Sequence, residues 1–166
     1  MTDVVVWGGS EPIATAELAM RRFGLDASLV PVAKPEEALT LVRNLGDAVL
    51  ALDPVNPWWA RLLAERRLAA VDLLHKGGFR ALALGHAEAE PSGWDHTLWA
   101  TDAAATPAAV EAALGRIGFA GELVWVSGGL KLFALAGYVQ RDDRRLLEAP
   151  GRLSGVIGVV PAASVF

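Results

Sequence analysis

The second half of the chain constrains the fold most strongly. After about residue 93, apolar runs and turn signals alternate in the order strand, helix, strand, strand, short helix, strand. The helix is the clearest segment, because Thr106 can cap it and Pro107 suits its first turn. Its apolar residues recur at helical spacing, at positions 110, 113, 114 and 117. A βαββαβ order of this kind predicts a split-βαβ, ferredoxin-like domain.

The first half alternates between strands and helices. Apolar runs at 4–7, 28–32 and 47–52 each precede a segment with helical character and a Gly or Pro boundary. Three strand–helix units in succession predict a parallel sheet. In the first helix we expect Ser10 as the N-cap and a buried stripe made of Ile13, Ala16, Met20 and Phe23. The Glu-Pro-Ser-Gly run at 90–93 is the predicted linker, so we predict domains at 1–90 and 94–166.

Composition excludes several classes of protein. With 53% apolar and 20% charged residues, the 166-residue chain is expected to fold. The net charge of −4 disfavours nucleic-acid binding, and we interpret the basic pairs at 21–22, 66–67 and 144–145 as solvated. The chain has no cysteine, which excludes disulfides and thiolate metal sites.

No targeting or cofactor signal is found in the sequence. No apolar run approaches the roughly 18 residues that cross a bilayer, and the N-terminus lacks the basic start of a signal peptide. We therefore predict a cytoplasmic protein that does not contact a membrane. Nucleotide-binding glycine motifs and a nucleophile elbow are also absent, so no cofactor is predicted.

A series of short motifs in the first half resembles the first lobe of prephenate dehydratase. The chain opens with a strand, a Gly-Gly turn at 8–9 and a helix ending in Phe-Gly at 23–24. A Val-Pro-Val strand at 30–32 then precedes a Glu-Glu-containing helix at 35–38. The third strand ends in Pro-Val-Asn at 54–56, similar to the Pro-Ile-Glu-Asn motif of that family.

The second half resembles the ACT domain that follows in the same family. Pro-Ala-Ala-Val at 107–110 is similar to its Pro-Gly-Ala-Leu motif, and Val-Ser-Gly-Gly at 126–129 is similar to its Glu-Ser-Arg-Pro motif. Ile-Gly-Val-Val-Pro at 157–161 resembles its closing strand. The resemblance implies an α/β fold in which a small parallel-sheet lobe precedes a ferredoxin-like ACT domain. It also implies a homodimer formed through the ACT-like half.

Two departures from the family bear on activity. Between Asn56 and Gly78 there is room for one helix and one strand only, so the second catalytic lobe of the family is missing. The family's Thr-Arg-Phe motif carries the catalytic threonine, and this chain has Phe79-Arg80-Ala81 there. Because phenylalanine has no hydroxyl, we predict no catalytic residues and little or no dehydratase activity.

We predict two ligand sites. The resemblance implies that an aromatic amino acid or a prephenate-like ligand binds at the start of the second-half helix and the following turn, at Thr106, Pro107, Ala108, Ala109, Ser127, Gly128 and Gly129. A second, anion-binding site is predicted where strands meet helix starts in the first half, because free N–H groups there favour a negative charge. Its candidate residues are Gly8, Gly9, Ser10, Asp53 and Asn56.

Two other patterns in the sequence resemble functional signals. His86, Glu88 and Glu90 alternate along a predicted strand, which would place them on one face within reach of a metal ion. We interpret them as a solvated strand face and predict no metal site. The six tryptophans are many for this length, and packing explains most of them, whereas an exposed one would indicate an interface.

These observations leave three hypotheses for function. The first is a non-catalytic, prephenate-dehydratase-like binding or regulatory protein of aromatic amino-acid biosynthesis. The second is a divergent prephenate dehydratase, or a subunit that completes one together with a chorismate mutase partner. The third is a dimeric interaction module with no small ligand.

Overall fold

The computed structural model of the chain describes residues 2–86 and 90–162. Its elements follow in chain order: β1 Asp3–Trp7, α1 Pro12–Phe23, β2 Ser28–Pro31, α2 Pro35–Leu45, β3 Asp47–Ala51, a 3-10 helix Trp58–Leu63, β4 Ala69–Lys76, β5 Phe79–Gly85, β6 Asp95–Thr101, α3 Pro107–Arg116, β7 Gly121–Ser127, β8 Leu130–Ala136, a 3-10 helix Arg144–Glu148 and β9 Ser154–Pro161. The strand and helix order predicted for the second half is confirmed. No helix in the described ranges is both long and apolar enough to cross a membrane.

All the strands join one sheet in the order β2-β1-β3-β5-β4-β9-β6-β8-β7. β1 pairs in parallel with β2 and β3, as predicted, whereas β5 runs antiparallel to both β3 and β4. In the second half, β8 lies between β6 and β7 and is antiparallel to both, which is the split-βαβ arrangement. The predicted α/β fold class is therefore confirmed, while the domain boundaries at 1–90 and 94–166 stay a prediction.

The two halves meet where β4 pairs in parallel with β9, at Ala70 and Gly158. A β-carbon built on Gly158 would lie 2.0 Å from the Ala70 carbonyl oxygen and 2.7 Å from the Ala70 nitrogen. No side chain fits at that distance, so the junction requires glycine.

The hydrophobic core covers both faces of the sheet. On one face, a single cluster joins the two halves and encloses the Trp58–Leu63 helix, with Trp58, Trp59 and Leu62 fully buried. The Trp58 indole N–H donates to the Ala51 carbonyl at 2.7 Å, so its one polar atom is satisfied inside this core. On the other face, α1 covers the first half and α3 covers the second.

The first helix differs from the prediction in two ways. Its N-cap is Glu11 rather than Ser10, and Ile13 is 76% exposed. Thr15, Leu18 and Ala19 form the buried face instead. Thr15 can be buried because its hydroxyl donates to the Glu11 carbonyl at 2.8 Å, which satisfies the polar atom within the helix.

The segment before β6 is held by Asp95, and this carboxylate makes stability dependent on pH. The Ser92 backbone N–H and hydroxyl donate to it at 2.8 and 2.7 Å and hold the pKa of Asp95 below its ordinary value of 3.8. A carboxyl group whose pKa is lowered by folding stabilises the fold at pH values above its unfolded-state pKa. This stabilisation is lost as the pH falls through the folded-state pKa.

We expect Asp95→Asn to destabilise the protein at pH 7, and we expect its difference in stability from wild type to shrink below pH 3.8, as measured by chemical denaturation. A difference that stays constant across this range would contradict the assignment.

Candidate functional site

The first-half site lies at the carboxyl edge of β1 and β3. These strands are parallel neighbours, so the chain leaves both at the same edge of the sheet. Residues 8–11 lead from β1 into α1, and residues 52–57 lead from β3 towards the Trp58–Leu63 helix. The two loops therefore lie next to each other, because β1 and β3 pair in parallel.

A cavity of ≈ 260 Å³ opens between the two loops, and we call it the carboxyl-edge cavity. Its lining residues come from four separate parts of the chain: Gly8, Ser10, Glu11, Ala51, Leu52, Asp53, Pro54, Gly78, Phe79 and Trp125. Three of the predicted anion-site residues, Gly8, Ser10 and Asp53, line it. Asn56 lies beside them, with its backbone N–H donating to the Asp53 carboxylate at 2.6 Å.

Trp125 is the member of this site that the sequence did not predict. Its indole N–H donates to the Asp53 carbonyl at 3.0 Å, across 72 residues of sequence. Phe79 also lines the cavity, at the start of β5. Trp125 arrives through pairing of distant strands, so no local motif could have joined it to the Gly8 and Asp53 loops, whereas the resemblance had already placed Phe79 at the position of a catalytic residue.

The carboxyl-edge cavity combines acidic and aromatic groups. Glu11 and Asp53 supply carboxylates, and among the described lining residues there is no His, Lys or Arg. The Asp53 carboxylate already accepts hydrogen bonds from the Val55 and Asn56 backbone N–H groups, at 2.9 and 2.6 Å. Ser10 carries the one hydroxyl among these described lining residues. The site can therefore hold a ligand that has an amino group and an aromatic ring.

The cavity continues into an open trough of ≈ 640 Å³ along α1 and the β4–β5 turn. The trough shares Glu11, Gly78 and Phe79 with the cavity, and the exposed Ile13 lies in its wall. Farther along this wall, Lys76 forms an ion pair with Glu17, and this hydrogen bond lowers the pKa of Glu17. The carboxyl-edge cavity is therefore open to solvent on its α1 side.

The second-half site residues lie at the carboxyl ends of β6 and β7. Thr106 caps α3, since its hydroxyl accepts a hydrogen bond from the Ala109 N–H at 3.2 Å, and Pro107 and Ala108 follow in the first turn. Ser127 ends β7 with its side chain buried, and its hydroxyl has no partner among the described residues. A binding site shared by these two segments stays a prediction.

The turn after β7 packs against the first half of the chain. A β-carbon on Gly128 would lie 3.0 Å from the Pro57 ring and 3.1 Å from the Val55 carbonyl oxygen, whereas Gly129 has open space around it. The Arg80 guanidinium also donates to the Val124 carbonyl, at 3.4 Å. With the Trp125 hydrogen bond, these contacts join the β7–β8 hairpin to the wall of the carboxyl-edge cavity.

The metal-binding pattern is not assembled in the part of the chain that the structure describes. His86 follows β5 in a bend, with its Nε2 atom 2.7 Å from the Val42 carbonyl oxygen. Glu90 is exposed, and Glu88 lies outside the described residues. Within the described ranges no three His, Asp or Glu residues come together as metal ligands.

Comparison with known proteins identifies the fold. No family model matches the chain, and no curated protein does. Prephenate dehydratase from Streptococcus mutans aligns over 97% of this chain and 99% of its own, at a TM-score of 0.56 and 13% identity. The chain has a prephenate-dehydratase-like fold. The Arthrobacter aurescens enzyme, solved in complex with L-Phe, aligns over 97% of this chain and 91% of its own, at a TM-score of 0.59 and 12% identity.

A third solved structure has the same fold and a different described activity. GqqA, described as a novel type of quorum quenching acylase, aligns over 96% of this chain and 95% of its own, at a TM-score of 0.59 and 18% identity. At these identities the likeness establishes the fold alone. A single fold supports different chemistries, so the function has to be argued from the site.

Proposed function

We propose that this protein is a non-catalytic, prephenate-dehydratase-like binding protein that regulates aromatic amino-acid biosynthesis. Its ligand is a small aromatic amino acid or a prephenate-like acid, bound in the carboxyl-edge cavity. The observation that carries this proposal is the convergence of the Gly8 and Asp53 loops with Phe79 and Trp125 on one cavity.

The size of the cavity supports a ligand no larger than one amino acid. Pockets for drug-sized ligands occupy about 300–1,000 Å³. The ≈ 260 Å³ of the carboxyl-edge cavity is just below this range, so a nucleotide cofactor would have to extend into the open trough.

The groups around the cavity match the parts of an aromatic amino acid. Phe79 and Trp125 supply two rings against which an aromatic side chain can pack. Glu11 and Asp53 attract an ammonium group. The ligand carboxylate faces the first turn of α1 at the adjoining trough, where the Ile13 and Ala14 N–H groups have no partner within the helix.

The same lining supports binding without turnover. Dehydration requires a group that protonates the departing hydroxyl. Phe79 stands where the resemblance places the catalytic threonine, and it has no proton to give.

The ACT-like half supplies the proposed homodimer. β9, one edge of its four strands, is covered by β4, which leaves β7 as the free edge. Leu123 and Val126 on β7 are 37% and 46% exposed, and pairing with a second copy would cover them. A ligand at Thr106–Ala109 and Ser127–Gly129 is the second binding proposal, and the Gly128 contact with Pro57 would couple it to the first.

One observation favours the alternative of an enzyme subunit completed by a partner. Ile13 is exposed on the wall of the open trough, where a facing lobe supplied by another chain would bury it. Phe79 counts against this alternative. Prephenate turnover by the purified protein, or only after a chorismate mutase partner is added, would favour it.

Titration calorimetry with phenylalanine, tyrosine, tryptophan and prephenate tests the proposal. We expect heat of binding for at least one of these ligands and no phenylpyruvate from prephenate. Trp125→Phe keeps a ring but removes the indole hydrogen bond that holds this side chain against the Asp53 carbonyl, so it should weaken binding. Trp94→Phe, at a surface position outside the cavity, is the matched control and should bind as wild type does. No heat for any of the four ligands would contradict the proposal.

A further inference from the structure

A second cavity, of ≈ 700 Å³, lies at the opposite edge of the first-half strands from the carboxyl-edge cavity. It forms where α2 ends, where the chain enters β4 and where β5 ends, and we call it the arginine cavity. Its lining residues are Arg43, Glu65, Arg66, Arg67, Leu68 and His86. Its volume is within the range of about 300–1,000 Å³ that is typical of ligand pockets.

The arginine cavity carries an excess of positive charge. Its described lining residues include three arginines and one glutamate, in a chain whose net charge is −4. Glu65 is neutralised by Arg43, with a guanidinium nitrogen 2.6 Å from the carboxylate. Arg66 and Arg67 form no ion pair within the described residues. A concave surface with uncompensated charge of one sign concentrates ions of the opposite sign.

The adjoining cavity, of ≈ 320 Å³, provides a contrast. It shares Arg43, Glu65 and Leu68 with the arginine cavity. Its own charges are matched, because the Arg61 guanidinium lies 3.6 Å from the Glu36 carboxylate. The excess charge is therefore confined to Arg66 and Arg67.

Arg66 and Arg67 are adjacent residues in a hydrogen-bonded turn that is attached to the core. They occupy the centre of a turn that the Leu68 N–H closes by donating to the Glu65 carbonyl at 3.3 Å. Leu68 is fully buried and anchors the turn to the core. Turn centres favour Gly, Pro, Asn and Asp, so the local backbone does not account for two arginines there.

His86 adds a polar group on the opposite wall. Its Nε2 atom lies 2.7 Å from the Val42 carbonyl oxygen, where it donates its proton. This bond fixes the ring and leaves Nδ1 as an acceptor, which can meet a hydroxyl group of a ligand. The cavity thus combines two forked guanidinium donors, an imidazole and an apolar floor.

We propose that the arginine cavity binds a small organic anion that carries a doubly charged oxyanion group, either a phosphate or a pair of carboxylates. Guanidinium groups recognise both through paired N–H···O bonds. The site is separate from the carboxyl-edge cavity, and its ligand differs from the aromatic acid proposed there. Arg66 and Arg67 are exposed, in line with the prediction of a solvated pair, and they also line this cavity.

Inorganic phosphate and citrate, titrated separately at constant ionic strength set with chloride, are the probes. We expect calorimetric heat and a raised melting temperature for at least one of them, and the responding probe identifies the oxyanion class. The double variant Arg66→Ala/Arg67→Ala should lose at least about tenfold in affinity. The control Arg21→Ala/Arg116→Ala removes the same charge from exposed helix ends and should keep the affinity within about twofold.

Two further measurements distinguish loss of this site from loss of folding and from an effect on the carboxyl-edge cavity. If the alanine variant does not fold by circular dichroism, Arg66→Lys/Arg67→Lys keeps the charge but loses the forked donors and should still bind more weakly than wild type. Binding of phenylalanine, which carries a single carboxylate, should be unchanged in these variants, which separates this site from the carboxyl-edge cavity. The proposal is overturned if neither probe binds wild type, or if the Arg21/Arg116 control loses as much affinity as the Arg66/Arg67 variant.

Discussion

Gly158→Ala is expected to destabilise the protein more than any other single methyl addition to the sheet. The new β-carbon would overlap the Ala70 backbone, 2.0 Å from its carbonyl oxygen, at the pairing that joins the two halves. Backbone atoms cannot move aside as a side chain can, so β4 and β9 must separate. We expect the free energy of unfolding to fall by about 3 kcal/mol or more in chemical denaturation.

Gly115→Ala is the matched control for Gly158→Ala. Gly115 lies within α3, and a β-carbon there would have no neighbour within 4 Å. Alanine suits a helix better than glycine, so this variant should be more stable than wild type by about 0.5–1 kcal/mol. Equal effects of the two substitutions would contradict the proposed role of the β4–β9 junction.

Trp58→Ala is expected to have the second large effect. Trp58 is fully buried in the core that the two halves share, and its indole N–H satisfies the Ala51 carbonyl. Removing the ring should lower the free energy of unfolding by about 3–5 kcal/mol. Ala51 also lines the carboxyl-edge cavity, so ligand binding should weaken in parallel.

Trp58→Phe separates the packing and hydrogen-bonding parts of this effect, and Trp94→Ala is the surface control. Trp58→Phe keeps an aromatic ring and leaves the Ala51 carbonyl without its donor, which should cost about 1–3 kcal/mol. Trp94 is 81% exposed, so Trp94→Ala should stay within about 0.5 kcal/mol of wild type. Chemical denaturation measures all three, and a Trp94 effect as large as that of Trp58 would contradict the assigned core.

Local patterns predicted the elements well where the residue type itself sets the backbone. Thr106 and Pro107 start α3 as predicted, and Gly46 ends α2. The phase of α1 was predicted wrongly at Ile13. Its apolarity predicts a core position, but Leu18 and Ala19 set the face that contacts the sheet, and Thr15 joins them by bonding within the helix.

Long-range pairing limited prediction of the site. The Gly8 and Asp53 loops were grouped correctly, because parallel strands end at one edge. The sequence gives no sign that Trp125 would reach Asp53, or that β9 would continue the first-half sheet through Gly158. Both contacts depend on how the two halves pack together, which local spacing does not encode.

The central claim is that an aromatic acid binds in the carboxyl-edge cavity beside Trp125. The chain has six tryptophans, and their indole N–H signals in a two-dimensional ¹H–¹⁵N NMR titration report separately on different parts of the fold. Trp125→Phe assigns the decisive signal by its disappearance. We predict that the calorimetrically active ligand shifts the Trp125 signal, with the same dissociation constant, while the Trp94 and Trp99 signals stay in place. A ligand that binds but leaves the Trp125 signal unmoved would contradict the account.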